Sequence, residues 1–442
     1  VTAALSTEPR TVVFAMLQES GHLNPTFPLA RWLEGRGFRV RYLAIPDLTP
    51  TIEGQGFATI PMFSDLFPRG SHNTRPQGLL AQRREISRRY RHMLRELARG
   101  GAGVRELSRA LPDVMLVDVT QSHFAFWARR AGIPVVYVNT SLPQTEDPGL
   151  PPIRSDAMYA PDLVGRLKVG LAWKRFVIKR RASAALAAPA GMRPPYDLAR
   201  RAAATFGITR RELDCATAYM PQLRDCPELV LCPESFDFPR PPRAGRRYVG
   251  VVDLVRKEPA FDWQKLPHDK PLVYCALGGQ LYRPSDTPGF FKRVVQVFRE
   301  HPDWQMLLAT GQHMRVEALG ECPPNVVAVE RAPQLSALKR ARVMITHGGL
   351  NSVKECIANG VPMLVFPLDV DQPGNAARVE YHGIGLRGDV AGTSQAELET
   401  MLRRTIDDPA FARRCREMGS RWQADRQAAE AAALETVERA LR

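Results

Sequence analysis

Apolar residues along this chain fall into short blocks separated by amphipathic stretches. Residues 11–17 (TVVFAML) form a continuous apolar run rich in β-branched side chains, which predicts a strand buried on both faces. A polar stretch follows at 18–24. Pro25 and Pro28 then stand where a first helical turn tolerates proline, and Gly37 ends the helix that the pattern carries to about Arg36. Residues 39–44 (RVRYLA) predict the next strand. The same strand–helix–strand order returns at 114–117, 124–131 and 134–138. In the second half, strands are predicted at 272–277, 304–309, 326–329, 343–346 and 363–366, with helices at 289–300 and 332–340. Strands alternating with helices imply parallel sheets covered on both faces, an α/β fold.

Two such units fit the length of 442 residues, since domains run to roughly 100–200 residues each. The segment 238–247 (FPRPPRAGRR) is the densest in proline and arginine and predicts a linker. That places one domain at 1–240 and a second at 241–420. The remaining stretch, 421–442, continues an Ala-, Glu- and Arg-rich helical period and is expected to cross back onto the first domain. Residues 75–99 and 163–188 fit neither sheet. Both are basic with apolar residues at helical spacing. A solvated helix packed on one face accounts for each; docking to a membrane surface, or a lid over an apolar substrate, is the sharper alternative.

Composition narrows the classes. Hydrophobic residues make up 44% and charged residues 24%, as in ordinary folded domains. The seven cysteines include no C-x-x-C pair, which argues against a zinc site or a disulfide framework and favours a reduced, cytoplasmic compartment. No apolar run reaches the roughly 18 residues needed to span a bilayer, and residues 1–10 lack the pattern of a signal peptide. Any membrane contact is therefore expected at the surface. The net charge of +15 would attract phosphates, nucleic acids and acidic lipids. Neither zinc-finger spacing nor an aromatic RNA-binding stretch is present, so no nucleic-acid partner is expected.

Candidate chemistry sits at strand ends. In 344–352 (MITHGGLNS) a strand ends, two glycines make a tight loop and a helix begins near Asn351. Unpaired N–H groups at a helix N-terminus suit a diphosphate, and glycine lets backbone approach it. His347, Asn351 and Ser352 raise this above a plain turn. In 367–375 (PLDVDQPGN), Asp371 and Gln372 suit hydrogen bonding to a sugar diol. Asp369 and Asp371 could be taken for a metal motif, but the sequence offers no further oxygen ligands. In the first unit His22 lies in the loop after the first strand, and Asp118 ends another. Adjacent parallel strands would bring the two together, with the carboxylate fixing the tautomer and raising the basicity of the imidazole.

These motifs resemble the nucleotide-sugar glycosyltransferases of the GT-B type, whose fold is two Rossmann-like parallel-sheet domains facing a cleft. More narrowly, the chain is similar to plant UDP-glycosyltransferases and their bacterial macrolide- and carotenoid-glycosylating relatives. The resemblance runs from Gly21-His22 to Asn375 and includes Pro333-Gln334, His347-Gly348-Gly349, Asn351-Ser352, Glu355, Gly360-Val361-Pro362 and Asp371-Gln372. A short match at 381–385 (YHGIG) is similar to zeaxanthin glucosyltransferases. The resemblance implies that His22 is the catalytic base and Asp118 its partner. It implies that His347 and the amides around Gly349, Asn351 and Ser352 hold the diphosphate, and that Glu355 takes the ribose hydroxyls. Gln334, with Arg331 and Ala332, would hold base and ribose; Asp371 and Gln372 the sugar; and Thr140, more weakly, the sugar as well. Three positions depart from the family pattern. Arg331 replaces the tryptophan that stacks on the base, Leu350 replaces an aromatic, and Gly279 replaces a hydroxyl residue in the glycine turn, leaving backbone amides at Gly278 and Gly279.

The resulting expectation is a metal-independent, inverting hexosyltransferase with no resident cofactor. The donor is a nucleotide sugar, UDP favoured over TDP. The acceptor is an apolar, hydroxylated small molecule such as a polyketide, terpenoid, carotenoid or phenolic, roofed by residues 141–230. Met62, Phe63, Phe67, Phe124, Phe126 and Trp127 are as well explained by core packing as by a pocket. The rivals are a nucleotide-sugar epimerase or hydrolase on the same fold, a basic nucleic-acid-binding protein and a catalytically silent partner protein.

Overall fold

A computed structural model describes residues 9–71, 78–147, 149–217, 219–250, 256–266, 269–278, 287–311 and 314–442. The first sheet contains β1 (Thr11–Ala15), β2 (Arg39–Ala44), β3 (Ala58–Pro61), β4 (Val114–Asp118), β5 (Val135–Asn139), β6 (Glu228–Val230) and β7 (Arg246–Tyr248). All are parallel, in the order β3-β2-β1-β4-β5-β6-β7. The second contains β8 (Leu272–Ala276), β9 (Gln305–Ala309), β10 (Val326–Val329), β11 (Ala341–Thr346), β12 (Met363–Val365) and β13 (Gly385–Arg387). These too are parallel, in the order β10-β9-β8-β11-β12-β13.

The continuous apolar runs become strands with both faces covered. β1, β4, β5, β8 and β9 are buried at every position. One cluster on the first sheet includes Met62, Phe63, Phe124, Phe126 and Trp127, with Phe67 packed against it, so these aromatics belong to the core.

The segment predicted as a linker requires a correction. Its end is β7, an edge strand of the first sheet, so that sheet continues to Tyr248, beyond the expected boundary at residue 240. The physical reason is that two of its arginines, Arg240 and Arg246, turn their side chains inward onto carboxylates. Arg246 is 6% exposed and donates through Nε to Glu228 Oε2 at 2.8 Å and through Nη2 to Thr145 Oγ1 at 2.7 Å. The chain end forms two helices that break at Asp425. Pro409–Ala424 packs Cys415, Met418 and Trp422 onto the second domain. Arg426–Ala440 packs Ala429, Ala433 and Val437 against the first sheet's core.

Register decides what meets at the sheet ends. Ala15 pairs with Val117 and Asp118 with Val138, so the loops after β1, β4 and β5 emerge side by side. Ala276 pairs with Thr346, so the glycine turn after β8 adjoins the loop after β11. In both sheets the strand order reverses at that point, where open α/β sheets bind ligands.

Candidate active site

On the first-domain side, His22 belongs to a one-turn helix, Ser20–Leu23, in the loop after β1. Its Nδ1 lies 2.7 Å from Asp118 Oδ2 and 2.9 Å from Thr140 Oγ1. Asp118 is fully buried. Its other oxygen, Oδ1, accepts from the Thr120 backbone N–H at 2.8 Å and from the Thr120 hydroxyl at 2.7 Å. Burial opposes the imidazolium, but Asp118 outweighs it, and the His22 pKa is raised to about 9. Burial would likewise raise Asp118, yet His22 and the Thr120 hydrogen bonds pull its carboxyl below the ordinary range.

The second-domain side is built on two glycines and a helix start. His347 is half-buried; its Nδ1 is buried and has no hydrogen-bond partner among the described residues, and desolvation lowers its pKa to about 4. It is therefore a neutral imidazole near neutral pH. A Cβ at Gly278 would fall 2.8 Å from His347 Nε2, and one at Gly349 would fall 2.7 Å from it. Both glycines thus make room for the ring, and Gly278 also has φ +80°. Gly279 lies outside the described residues. The helix Leu350–Ala358 starts at Gly349 with no side-chain cap, which leaves first-turn N–H groups for an anion.

Beside this start, Gln334 Nε2 donates to Glu355 Oε2 at 2.6 Å and to Ser352 Oγ at 3.3 Å. Tyr274 donates its hydroxyl to Gln334 Oε1 at 3.3 Å. Glu355, 4% exposed, is also gripped by Arg256, through Nη1 and through Nη2 at 3.1 Å. Arg331 is exposed, and Ala332 packs against the second domain's core.

The third loop follows β12. Asp371 Oδ2 accepts from Ser141 Oγ of the first domain at 2.9 Å and from Asn375 Nδ2 at 3.1 Å. Gln372 turns its amide oxygen to the Leu368 and Asp369 N–H groups, so it shapes the loop. Between the two aspartates Val370 has φ +59°, a left-handed conformation that β-branched residues rarely adopt.

The two sides meet. Asn351 Nδ2 donates to Gly21 O at 2.8 Å across the domains, and the Asp371 charge lies near enough to favour the protonated form of both His22 and His347, though at His347 burial prevails. His22, Asp118, Thr140, His347, Asn351 and Asp371 therefore converge on one cleft. Gln334, Ser352 and Glu355 form a linked group along the helix beside it. Sequence reasoning missed Thr120, Ser141 and Arg256. An Asp-x-Thr spacing at a strand end was available for Thr120; nothing local marks the other two, whose partners lie 230 and 99 residues away. Among the described residues, no group of three His, Cys, Asp or Glu side chains is placed to hold a metal ion.

Residues 310–426 match the family model of UDP-glucuronosyl and UDP-glucosyl transferases. The chain is 28% identical over 429 residues to the oleandomycin glycosyltransferase of Streptomyces antibioticus, covering 93% of this chain and 86% of that one. It is also 28% identical to the zeaxanthin glucosyltransferase of Pantoea ananas, covering 89% and 88%. Among solved structures, the kitacinnamycin glycosyltransferase superposes with a TM-score of 0.71 at 25% identity, covering 98% of this chain and all of that one. The parallel sheets facing a shared cleft are those of the GT-B glycosyltransferases, and the chain is similar to bacterial glycosyltransferases of the UDP-glycosyltransferase type.

Proposed function

We propose that this glycosyltransferase moves a hexose from a nucleotide sugar to a hydroxyl of an apolar small-molecule natural product, with inversion at the anomeric carbon. The observation that carries the reading is the 2.7 Å contact of His22 Nδ1 with Asp118, on the wall of the cleft opposite the helix start at Gly349. With Nδ1–H donated to Asp118, Nε2 is the nitrogen that takes the proton of the acceptor hydroxyl. The freed oxygen attacks the anomeric carbon, and the bond to the nucleotide's phosphate oxygen breaks with its electron pair. The departing diphosphate gains charge beside His347 and the first-turn N–H groups, which stabilise it where that charge develops. Asp371 and Gln372 hold the sugar, and Glu355 the ribose. A uridine donor is favoured over a thymidine donor by the family description; the nucleotide sugar is a co-substrate, and the reaction needs no resident cofactor or metal. The oleandomycin and zeaxanthin relatives support an apolar, hydroxylated acceptor.

His22→Ala is the direct test. Transfer is expected to fall by at least about 10²-fold, while a UDP-sugar still raises the melting temperature by mass action. Unchanged turnover would remove the base assignment. Donor conversion at an equal rate without any acceptor would turn the reading into an epimerase or hydrolase.

A further inference from the structure

The helix Leu163–Ala187 carries apolar residues on two opposite faces. Gly165, Val169, Trp173 and Ala187 turn inward, and Trp173 Nε1 donates to Leu150 O at 2.7 Å. At about 100° per residue, Val164, Leu167, Leu171 and Ile178 point the opposite way. Each of these four is at least 57% exposed. Lys168, Arg175 and Lys179 border this outer stripe on one side, and Lys174 and Arg181 on the other. The helix contains seven Lys and Arg residues and no Asp or Glu. Its start is fixed by Asp162, whose Oδ1 accepts from Gly165 N at 2.7 Å. A helix packed on one face ordinarily turns charge to water on the other; this one turns a row of aliphatic side chains.

We propose that the outer face of Leu163–Ala187 docks on an anionic lipid bilayer. The aliphatic stripe enters the boundary between headgroups and acyl chains, and the flanking Lys and Arg stems reach back to the lipid phosphates. The helix is about 37 Å long at 1.5 Å per residue and lies along the surface; among the described residues no helix is long and apolar enough to cross a membrane. Charge argues for lipid over a second copy of the chain. A two-fold contact through this face would set one all-basic helix against an identical one with no carboxylate to offset it.

The helix is tied through residues 150–154 to the loop that carries Asp371. The inner face of the helix rests on the segment containing Leu150, and a few residues on Ile153 O accepts from Gly374 N at 3.1 Å while Arg154 pairs with Asp369 at 3.0 Å. Docking would hold the sugar loop's wall against the bilayer, where an apolar acceptor dissolves. The docking itself does not depend on the acceptor's identity.

The test is flotation of the full chain with vesicles of equimolar phosphatidylcholine and phosphatidylglycerol, beside vesicles of phosphatidylcholine alone. The chain should float with the anionic vesicles and be released by high salt. The bound fraction should fall at least about tenfold in L167E/L171E and in K168E/R175E, with UDP binding and melting unchanged in both. The charge-reversal pair leaves every apolar contact in place, so it decides the matter should the first pair misfold. Three results would overturn the proposal: no flotation with anionic vesicles, both variants floating like the parent, or a dimer in solution that L167E/L171E converts to monomer.

Discussion

Two imidazoles face one cleft in opposite electrostatic surroundings. Burial acts on both, but only His22 has a carboxylate in contact, so its pKa rises to about 9 while that of His347 falls to about 4. With a raised pKa, about one His22 in a hundred is neutral at pH 7 in the resting protein, and the basic form grows as pH climbs. kcat/KM should therefore increase with pH toward a plateau near 9. Asp118→Asn removes the opposing charge and leaves burial, which lowers the imidazole pKa. The rising limb should move down to the ordinary histidine range or below it, with the plateau reduced about 10²–10⁴-fold by the lost tautomer control. A limb that stays put in pH–rate profiles of the variant would dissociate Asp118 from His22. Val370 makes a separate prediction. A β-branched residue held at φ +59° stores about 1–3 kcal/mol of strain, the kind that persists where it sets functional geometry. Val370→Gly should raise the unfolding free energy by about 1 kcal/mol while reducing transfer, because Asp369 and Asp371 lose their fixed directions. Denaturation and turnover measured together check it, and a variant neither more stable nor slower would show that the strain is not coupled to the site.

Elements announced themselves in the sequence wherever burial was purely apolar. β1, β4, β5, β8 and β9 are apolar runs with polar residues only at their ends, and every position in them is buried. β6 and β7 were illegible because their buried polar residues, Glu228 and Arg246, neutralise each other, and that pairing is invisible until both are placed. β3 was hidden by its length of four residues and by Pro61 at its end. The site divides in the same way. Asp118 and His347 sit at strand ends that periodicity marks and His22 in the loop after one, whereas Arg256 reaches Glu355 only through the fold. In the closing helix Arg426–Ala440 the period places alanines on both faces: Ala433 is fully buried against the first sheet's core while Ala431 faces water. Ala433→Glu should cost about 3 kcal/mol or more by forcing a carboxylate into apolar surroundings, and Ala431→Glu should stay within about 0.5 kcal/mol. Equal urea midpoints for the two variants would mean that the helix does not dock.

At the scale of the molecule, a buried network of six charged side chains adds to the contacts that join the two domains at the cleft. Asp147, Glu228 and Asp237 interleave with Arg240, Arg246 and Arg378, three acids with three guanidiniums. Arg378 belongs to the second-domain helix Gln372–Tyr381, which begins beside Asp371. Its Nε and Nη2 reach Asp237 Oδ1 at 2.8 and 2.6 Å, and Arg240 Nε and the Tyr248 hydroxyl reach Oδ2 at 2.9 and 2.8 Å. Burial alone would raise the Asp237 carboxyl, but Arg378 and Arg240 hold it far below the usual carboxylate range. Its contribution to stability is therefore present above the unfolded carboxylate pKa and is lost as pH falls through the folded one. A buried pair of this kind is weak evidence of net stabilisation, yet breaking one side strands a charge and costs about 3–5 kcal/mol. Asp237→Asn should therefore lower the urea midpoint by an amount matching that range at pH 7. The loss should shrink at strongly acidic pH, where the parent carboxylate is protonated too. Because Arg378 also holds Gly374 O at 2.9 Å, freeing it loosens the start of the helix that carries Asp371. The same variant should then weaken donor binding more than a remote substitution of equal thermodynamic cost, Ala433→Glu being the natural comparison. Donor affinities that fall equally in the two would mean that the charge network supports the fold without tuning the cleft.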